Sequence, residues 1–447
     1  MNATYFQLSK RCALTGHIVK TKAYENLSRQ IFNEIQEWLE PFHSSWNYQV
    51  VGDANNSLVA QLQTLFKPNP IMPRMLVIDA SMGRPLKNIR DLNEKGNLTV
   101  SIDIPAGLNP ETGEGDIVLR ADMTLCLGII APGLFKNKGP ENCGQIRWIE
   151  MPLCDSITSV GNPDSALFGI AEAKSLLRPR PALSNKYTFG RILILAGSAQ
   201  YNGAPFLAAE GAMRAGAGLT TLILPENARK RPGPMSLIVR EMKGADCFKA
   251  SHLHEISADI EKADAILFGP GISLDASTAV LHHLLQIEKP LVLDADALTL
   301  LSRNPNYMDD CKAKVIMTPH AGEMARLVNA LIPELKDAPA EEQGAALAKR
   351  LNCVLVMKGH PTKVFDGPDG LSSIILSGGP ALATAGTGDV LAGIITTFAA
   401  QMPAYRAAQL GAYIHGLTAD LSLLPARSLI ADDLPALISS AFRKCGE

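Results

Sequence analysis

Apolar residues follow two rhythms along this chain. Short unbroken runs, such as Leu76-Val77-Ile78 and Ile192-Leu193-Ile194-Leu195, alternate with stretches in which apolar residues return every three or four positions. A run that is apolar at every position reads as a strand covered on both faces, and the longer period reads as helices packed against it. The runs predict strands at 75–80, 98–105 and 123–130, then at 191–196, 219–224, 263–268, 290–293, 314–318 and 353–357, with short ones near 362–365 and 372–376. Helical spacing marks 5–14, 25–39, 206–214 and 390–400, with a turn and short strand at 16–20. Strand and helix in alternation imply an α/β protein with parallel sheets.

Length turns one such layer set into two. A chain of 447 residues exceeds one ordinary core. Arg178-Pro179-Arg180-Pro181 lies between the groups of strands, and two prolines in four residues stiffen a chain and block a helix. The expected division is 1–165, a linker at 166–183, and 184–447, each folded part a three-layer αβα domain. Net charge is −2, so no basic excess points to nucleic acid, and no apolar run has membrane-spanning length. The segment 1–16 lacks a signal-peptide core. The eight cysteines form no C-x-x-C pair, which supports neither zinc nor a disulfide framework. A cytoplasmic protein is the expectation.

The predicted strands of the second part share a feature at their ends. They deliver, in order, Gly197-Ser198, Gly269-Pro270-Gly271, Asp294-Ala295-Asp296, Thr318-Pro319-His320 and Lys358-Gly359. Each alone reads as a tight turn or a helix cap. In a parallel sheet their ends line one crevice, where ligands bind. Ala383 to Gly393 then runs Ala-Thr-Ala-Gly-Thr-Gly-Asp into an apolar helix. Small residues let backbone N–H groups approach an anion at a helix start. Asp389 is out of place beside phosphate unless it serves as a base toward a hydroxyl being phosphorylated, the other reading being an ordinary first-turn Asp.

Taken together, these motifs resemble the NAD(P)H-hydrate dehydratase family of the ribokinase-like superfamily over about 185–445. The residues that carry the likeness are Tyr201-Asn202-Gly203-Ala204-Pro205, Gly269-Pro270-Gly271, Leu293-Asp294-Ala295-Asp296-Ala297-Leu298, Thr318-Pro319-His320-Ala321-Gly322-Glu323 and Gly386-Thr387-Gly388-Asp389. The likeness implies a ribokinase-like domain with a mostly parallel sheet. It implies dehydration of (S)-NADHX and NADPHX to NADH and NADPH, driven by ADP, or by ATP, with Mg²⁺, through phosphorylation of the ring hydroxyl and loss of phosphate. It implies Asp389 as the catalytic base, and Ala204, Gly271, His320 and Asp389 as hydrate contacts. Lys358, Gly359, His360, Pro361 and Thr362, with Gly386, Thr387 and Gly388, are implied to hold the nucleotide. Asp294 and Asp296 are candidate supports, and no residue is assigned to Mg²⁺. A homo-oligomer, tetramer or larger, is also implied. Two other readings remain: a small-molecule kinase of the same superfamily, for example acting on a thiamin-precursor alcohol, and a non-catalytic binding protein.

The first part resembles the NAD(P)H-hydrate epimerase domain, a Rossmann-like fold. Val77-Ile78-Asp79-Ala80-Ser81-Met82-Gly83, Ser101-Ile102-Asp103-Ile104-Pro105-Ala106-Gly107-Leu108 and Pro132-Gly133-Leu134 carry the resemblance. The family's glycine-rich loop has no counterpart, because Asn2-Ala3-Thr4-Tyr5 aligns near its end. Where the family places a cation-binding Ser and a Lys, this chain has Ala106 and Ala131. Asp79 is the remnant K⁺ ligand and Asp103 the remnant substrate-binding acid. The expectation is a shortened domain whose epimerase activity is lost.

Overall fold

The computed structural model describes residues 21–40, 46–53, 56–72, 74–128, 130–149, 165–228 and 233–447. The helix at 5–14 and the strand at 16–20 lie outside them. The chain divides into two compact units between Leu167 and Phe168.

The first unit holds five parallel strands, β1 (Asn47–Val51), β2 (Met75–Asp79), β3 (Leu98–Ile102), β4 (Met123–Leu127) and β5 (Gln145–Ile149), side by side in chain order. Leu27, Ile31, Ile35 and Leu39 stand four residues apart on the helix Thr21–Leu39, so they share one face. That face packs with Leu58, Leu62 and Phe66 onto Leu76, Ile78, Val100 and Ile102 of the sheet. Val77, Ile89, Leu92, Ala106 and Leu119 cluster separately. Asn56 caps the helix Ser57–Leu65 by accepting from Leu58 N–H at 2.9 Å.

The second unit is built on ten strands in the order β6-β15-β14-β13-β12-β11-β10-β7-β8-β9. They are β6 (Ala166–Phe168), β7 (Arg191–Leu195), β8 (Leu219–Pro225), β9 (Ile238–Met242), β10 (Ala265–Phe268), β11 (Pro290–Leu293), β12 (Lys314–Met317), β13 (Val354–Met357), β14 (Lys363–Asp366) and β15 (Leu371–Ile375). The strands β7 to β13 pair parallel, and β14 and β15 turn back antiparallel. Successive side chains take opposite faces: Ile192 and Ile194 join one core cluster, Leu193 and Leu195 the other. Helices cover both faces, so the expected three layers are present. The span expected as a linker is partly built into this unit, since β6 is an edge strand and Ile170–Leu176 a helix.

Two helices place the glycine-rich loop. Thr387–Ala399 is buried almost all round and lies against Ala204–Arg214. The approach is at backbone distance: a Cβ on Gly393 would lie 2.0 Å from the Ala208 carbonyl oxygen, and one on Gly211 would lie 2.5 Å from that of Val390. Thr397 Oγ1 also donates to the Ala212 carbonyl at 3.0 Å. Gly393→Ala forces these helices apart, against a helix-propensity gain of about 1 kcal/mol. Overpacking costs about 1–3 kcal/mol. The expected net outcome is a lower urea midpoint and impaired activity; an unchanged midpoint contradicts the packing described.

Candidate active site

Five neighbouring parallel strands, β13, β12, β11, β10 and β7, end along one edge of the sheet. Their turns present Lys358, His320, Asp294, Gly271 and Gly197 in that spatial order. From β7 the chain proceeds to β8 and β9 on one side, then returns to β10 on the other. The sheet therefore has its topological switch between β7 and β10, where a crevice opens in such folds. Gly197 N–H donates to the Pro270 carbonyl across that switch at 2.8 Å.

Lys358 is the hub. Its ammonium lies 2.8 Å from Asp294 Oδ1 and 3.8 Å from Glu323 Oε2. Burial disfavours the ammonium, but Asp294 and Glu323 outweigh it and hold the pKa above the ordinary lysine value. Asp294 is buried and accepts a second bond on the same oxygen from Thr318 Oγ1 at 2.7 Å. Asp296 opens the helix Asp296–Arg303 and accepts from Ser273 N–H at 2.9 Å, which fixes the turn after Gly271. The two acids thus have separate supporting tasks.

The loop ahead of Thr387–Ala399 turns through Gly386 at φ 91°, a left-handed conformation that suits glycine. Gly388 carries the approach to the hub: a Cβ there would be 3.3 Å from Lys358 Nζ. Asp389 N–H donates to the Gly386 carbonyl at 3.1 Å and its side chain is recessed. Burial pushes the Asp389 carboxyl up to about 7, with Asp294 adding to the rise and Lys358 opposing it. Thr387, the implied nucleotide contact beside Gly388, ties the loop with its hydroxyl. Its hydroxyl lies 3.0 Å from the Leu382 carbonyl and 3.1 Å from that of Thr384, holding the loop closed.

His320 is the N-cap of the helix Ala321–Leu331. Its Nδ1 accepts from Gly322 N–H at 2.9 Å, so the neutral ring carries its proton on Nε2, 3.4 Å from Glu323 Oε1. Burial, then Lys358 and Arg326, lower its pKa and favour that neutral form. Ala204 and Gly271 meet at the switch, where a Cβ on Gly271 would lie 3.4 Å from that of Ala204. On the other side, Thr362 Oγ1 donates to the Gly359 carbonyl at 3.1 Å, His360 is hydrogen-bonded to the Gly378 backbone, and the His360-Pro361 peptide is cis.

Three participants receive no role from the sequence. Glu323 accepts from His320 N–H at 2.8 Å, and burial, tempered by Lys358, pushes it up to about 7. The signal was available, since an acid three residues after a cap is the capping-box spacing. Thr318 holds Asp294. His415, buried in the helix Ala404–Asp420, bonds to the Thr387 backbone, and burial pushes it down to about 4, so it stays neutral. No local pattern marks it.

In the first unit Asp79 is held by protein donors. It is fully buried, and its oxygens accept from Ser81 N–H at 2.9 Å, Ser101 Oγ at 3.0 Å and Ala106 N–H at 2.9 Å. Burial still raises its pKa. Asp103 is buried at φ 71°, with Oδ1 3.3 Å from Leu127 N–H. An open cavity of about 960 Å³ in this unit is lined by Gly83, Gly107, Asn109 and Lys138 among others, and neither acid lines it. Among the described residues, no three His, Cys, Asp or Glu side chains converge to hold a metal, and no helix is long and apolar enough to cross a membrane.

The fold and this crevice define a ribokinase-like enzyme class, and comparison with known proteins agrees. The Enterococcus faecalis ribokinase-like superfamily protein superposes with a TM-score of 0.53 at 27% identity, covering 64% of this chain and 98% of that one. The Bacillus subtilis ADP/ATP-dependent NAD(P)H-hydrate dehydratase, co-crystallized with ATP/Mg²⁺, gives 0.52 at 29% identity over 62% and 98%. The family pattern described as NAD(P)H-hydrate dehydratase matches residues 192–441, and that described as YjeF-related protein N-terminus matches 39–133. The chain belongs to the NAD(P)H-hydrate dehydratase family. It is 32% identical over 370 residues to the bifunctional NAD(P)H-hydrate repair enzyme Nnr of Thermofilum pendens, covering 78% of this chain and 68% of that one. It is 30% identical over 399 residues to the enzyme of that name from Coxiella burnetii, covering 85% and 79%.

Lys358→Met leaves Asp294 and Glu323 without their cation. Breaking a buried pair costs roughly 3–5 kcal/mol, and the expected outcome is a loss of that size in urea denaturation at pH 8. Unchanged stability contradicts the hub.

Proposed function

We propose that this chain dehydrates hydrated NADH and NADPH at the second unit's crevice, with ADP as the expected co-substrate and ATP the alternative. The observation that carries the proposal is Asp389: a recessed carboxyl with its pKa near 7, on the first turn of a helix, beside the Lys358 hub. A carboxylate so placed takes the proton of the ring hydroxyl as that oxygen attacks the terminal phosphorus of the nucleotide. The backbone N–H groups at the start of Thr387–Ala399 face developing phosphoryl charge, and fixed donors need little reorganisation. The ring nitrogen lone pair then expels phosphate, a better leaving group than hydroxide. The carbon–oxygen bond breaks, and loss of a ring proton restores the dihydronicotinamide.

Lys358 to Thr362 and Gly388 form the nucleotide side, and Ala204, Gly271 and His320 the hydrate side. The described side chains do not form a protein cage for a metal. Mg²⁺ is accordingly assigned to the nucleotide's own phosphates and to water, its usual habit. We read the first unit as having lost epimerase activity. Ala106 sits in an apolar cluster, Ala131 is buried, and Asp79 is engaged by protein donors. Mixing the two hydrate epimers with the protein, without nucleotide, is expected to give no interconversion; interconversion overturns that part.

Asp389→Asn is expected to lower turnover by about 10²-fold or more, the scale of a lost general base, in an assay that follows recovery of reduced-nicotinamide absorbance. Near-normal turnover contradicts the assignment. The wild-type kcat/KM depends on ionised Asp389, so it is retained above pH 7 and falls as pH drops below about 7. Stability runs the other way. A carboxyl raised on folding destabilises the native state as pH rises from its unfolded value of 3.8 through about 7. Asp389→Asn therefore raises the denaturation midpoint at pH 8, and the gain disappears near pH 4.

A further inference from the structure

We propose that Arg326 is a specificity-determining residue that binds a phosphate group of the dinucleotide substrate. The proposal deepens the dehydratase reading and rests on it. Arg326 is exposed on the helix Ala321–Leu331, one turn beyond Gly322. A Cβ on Gly322 would stand 2.9 Å from His320 Cε1 and 3.9 Å from Arg326 Nη1. The missing side chain leaves a notch with an imidazole on one wall and a guanidinium on the other. His320 is already placed on the hydrate side of the crevice, so the notch opens where that substrate enters.

Charge gives the notch its purpose. Asp294, Asp296, Glu323 and Asp389 gather at this edge, and a dinucleotide with a pyrophosphate linkage arrives as a polyanion. Lys358 is taken by Asp294 and Glu323. Arg326 has no carboxylate within ion-pair distance among the described residues. Its field nevertheless reaches the site, opposing protonation of His320 and favouring ionisation of Glu323 and Asp296. A guanidinium presents a planar fork of donors that matches phosphate oxygens, and an exposed, unpaired one gives up no partner to bind them. Two phosphates of the substrate share this chemistry, the pyrophosphate present in both hydrates and the ribose 2′-phosphate present only in hydrated NADPH.

The test uses the full chain as wild type, Arg326→Ala and Arg326→Lys. Initial rates are measured with each hydrate at saturating ADP or ATP, and NADH and NADPH, which carry the same phosphates, are titrated by fluorescence. Arg326→Ala is expected to raise KM for hydrate and weaken dinucleotide binding about tenfold, the scale of one charge-assisted contact. The kcat and the nucleotide KM stay within about twofold, and Arg326→Lys recovers part of the loss, keeping charge without the fork. Equal losses with both dinucleotides assign the pyrophosphate, and a loss confined to the phosphorylated one assigns the 2′-phosphate. Unchanged KM and binding for both, or a change in nucleotide KM instead, overturn the proposal. If the wild type restores no absorbance, the dehydratase reading fails. The titration then still decides whether Arg326 holds a dinucleotide phosphate.

Discussion

Everything at the crevice depends on one buried ammonium held among carboxylates. Lys358 lies 2.8 Å from Asp294 and within reach of Glu323, and Asp389 and Asp296 add two further acids to the same edge. Four acids so close cannot all ionise cheaply, because like charges and burial both favour the protonated form. The one cation is bonded to Asp294, while burial and the neighbouring acids leave Asp389 near 7, between its two states at neutral pH. That poise requires the loop at 386–389 to stand close to Nζ without touching it. The glycines at 388, 393 and 211 allow it, since side chains there would meet the hub or the neighbouring helix backbone.

The parts of the fold that could be read from sequence are those buried on both faces. The central strands β7, β10, β11 and β12 announce themselves as apolar runs because helices cover the sheet above and below. The edge strands β1 and β9 do not: Asn47–Val51 and Ile238–Met242 are half-exposed over most of their length and carry no such run. The edge strand β6 is silent in the sequence for a related reason. Ala166–Phe168 is short, and its place beside β15 is set by partners two hundred residues away. At the site, the residues were legible and their tasks less so. The sequence motifs grouped Asp294 with Asp296 and Thr387 with Gly388, yet three-dimensional partners separate them. Asp294 binds Lys358, Asp296 binds a turn, and Thr387 closes its own loop. His415 reaches that loop from a distant helix, which no spacing rule reveals.

The two units also show two outcomes for a recessed carboxyl. Asp79 ends the buried strand β2, and Asp389 sits on the first turn of the helix Thr387–Ala399. At Asp79 three protein donors answer the carboxylate, so it ties strand ends together. At Asp389 the neighbours are other acids and one ammonium, so the carboxyl is held ready to exchange a proton. Recession from solvent does not distinguish these cases; the groups around each carboxylate do.

Whether the ring oxygen leaves as phosphate decides the mechanism at this crevice. Hydrated NADH labelled with ¹⁸O in the ring hydroxyl, turned over with ADP or ATP, tests this directly by mass spectrometry of the released inorganic phosphate. The mechanism built on Asp389 predicts one ¹⁸O atom per phosphate. Label appearing in bulk water, with unlabelled phosphate, contradicts it.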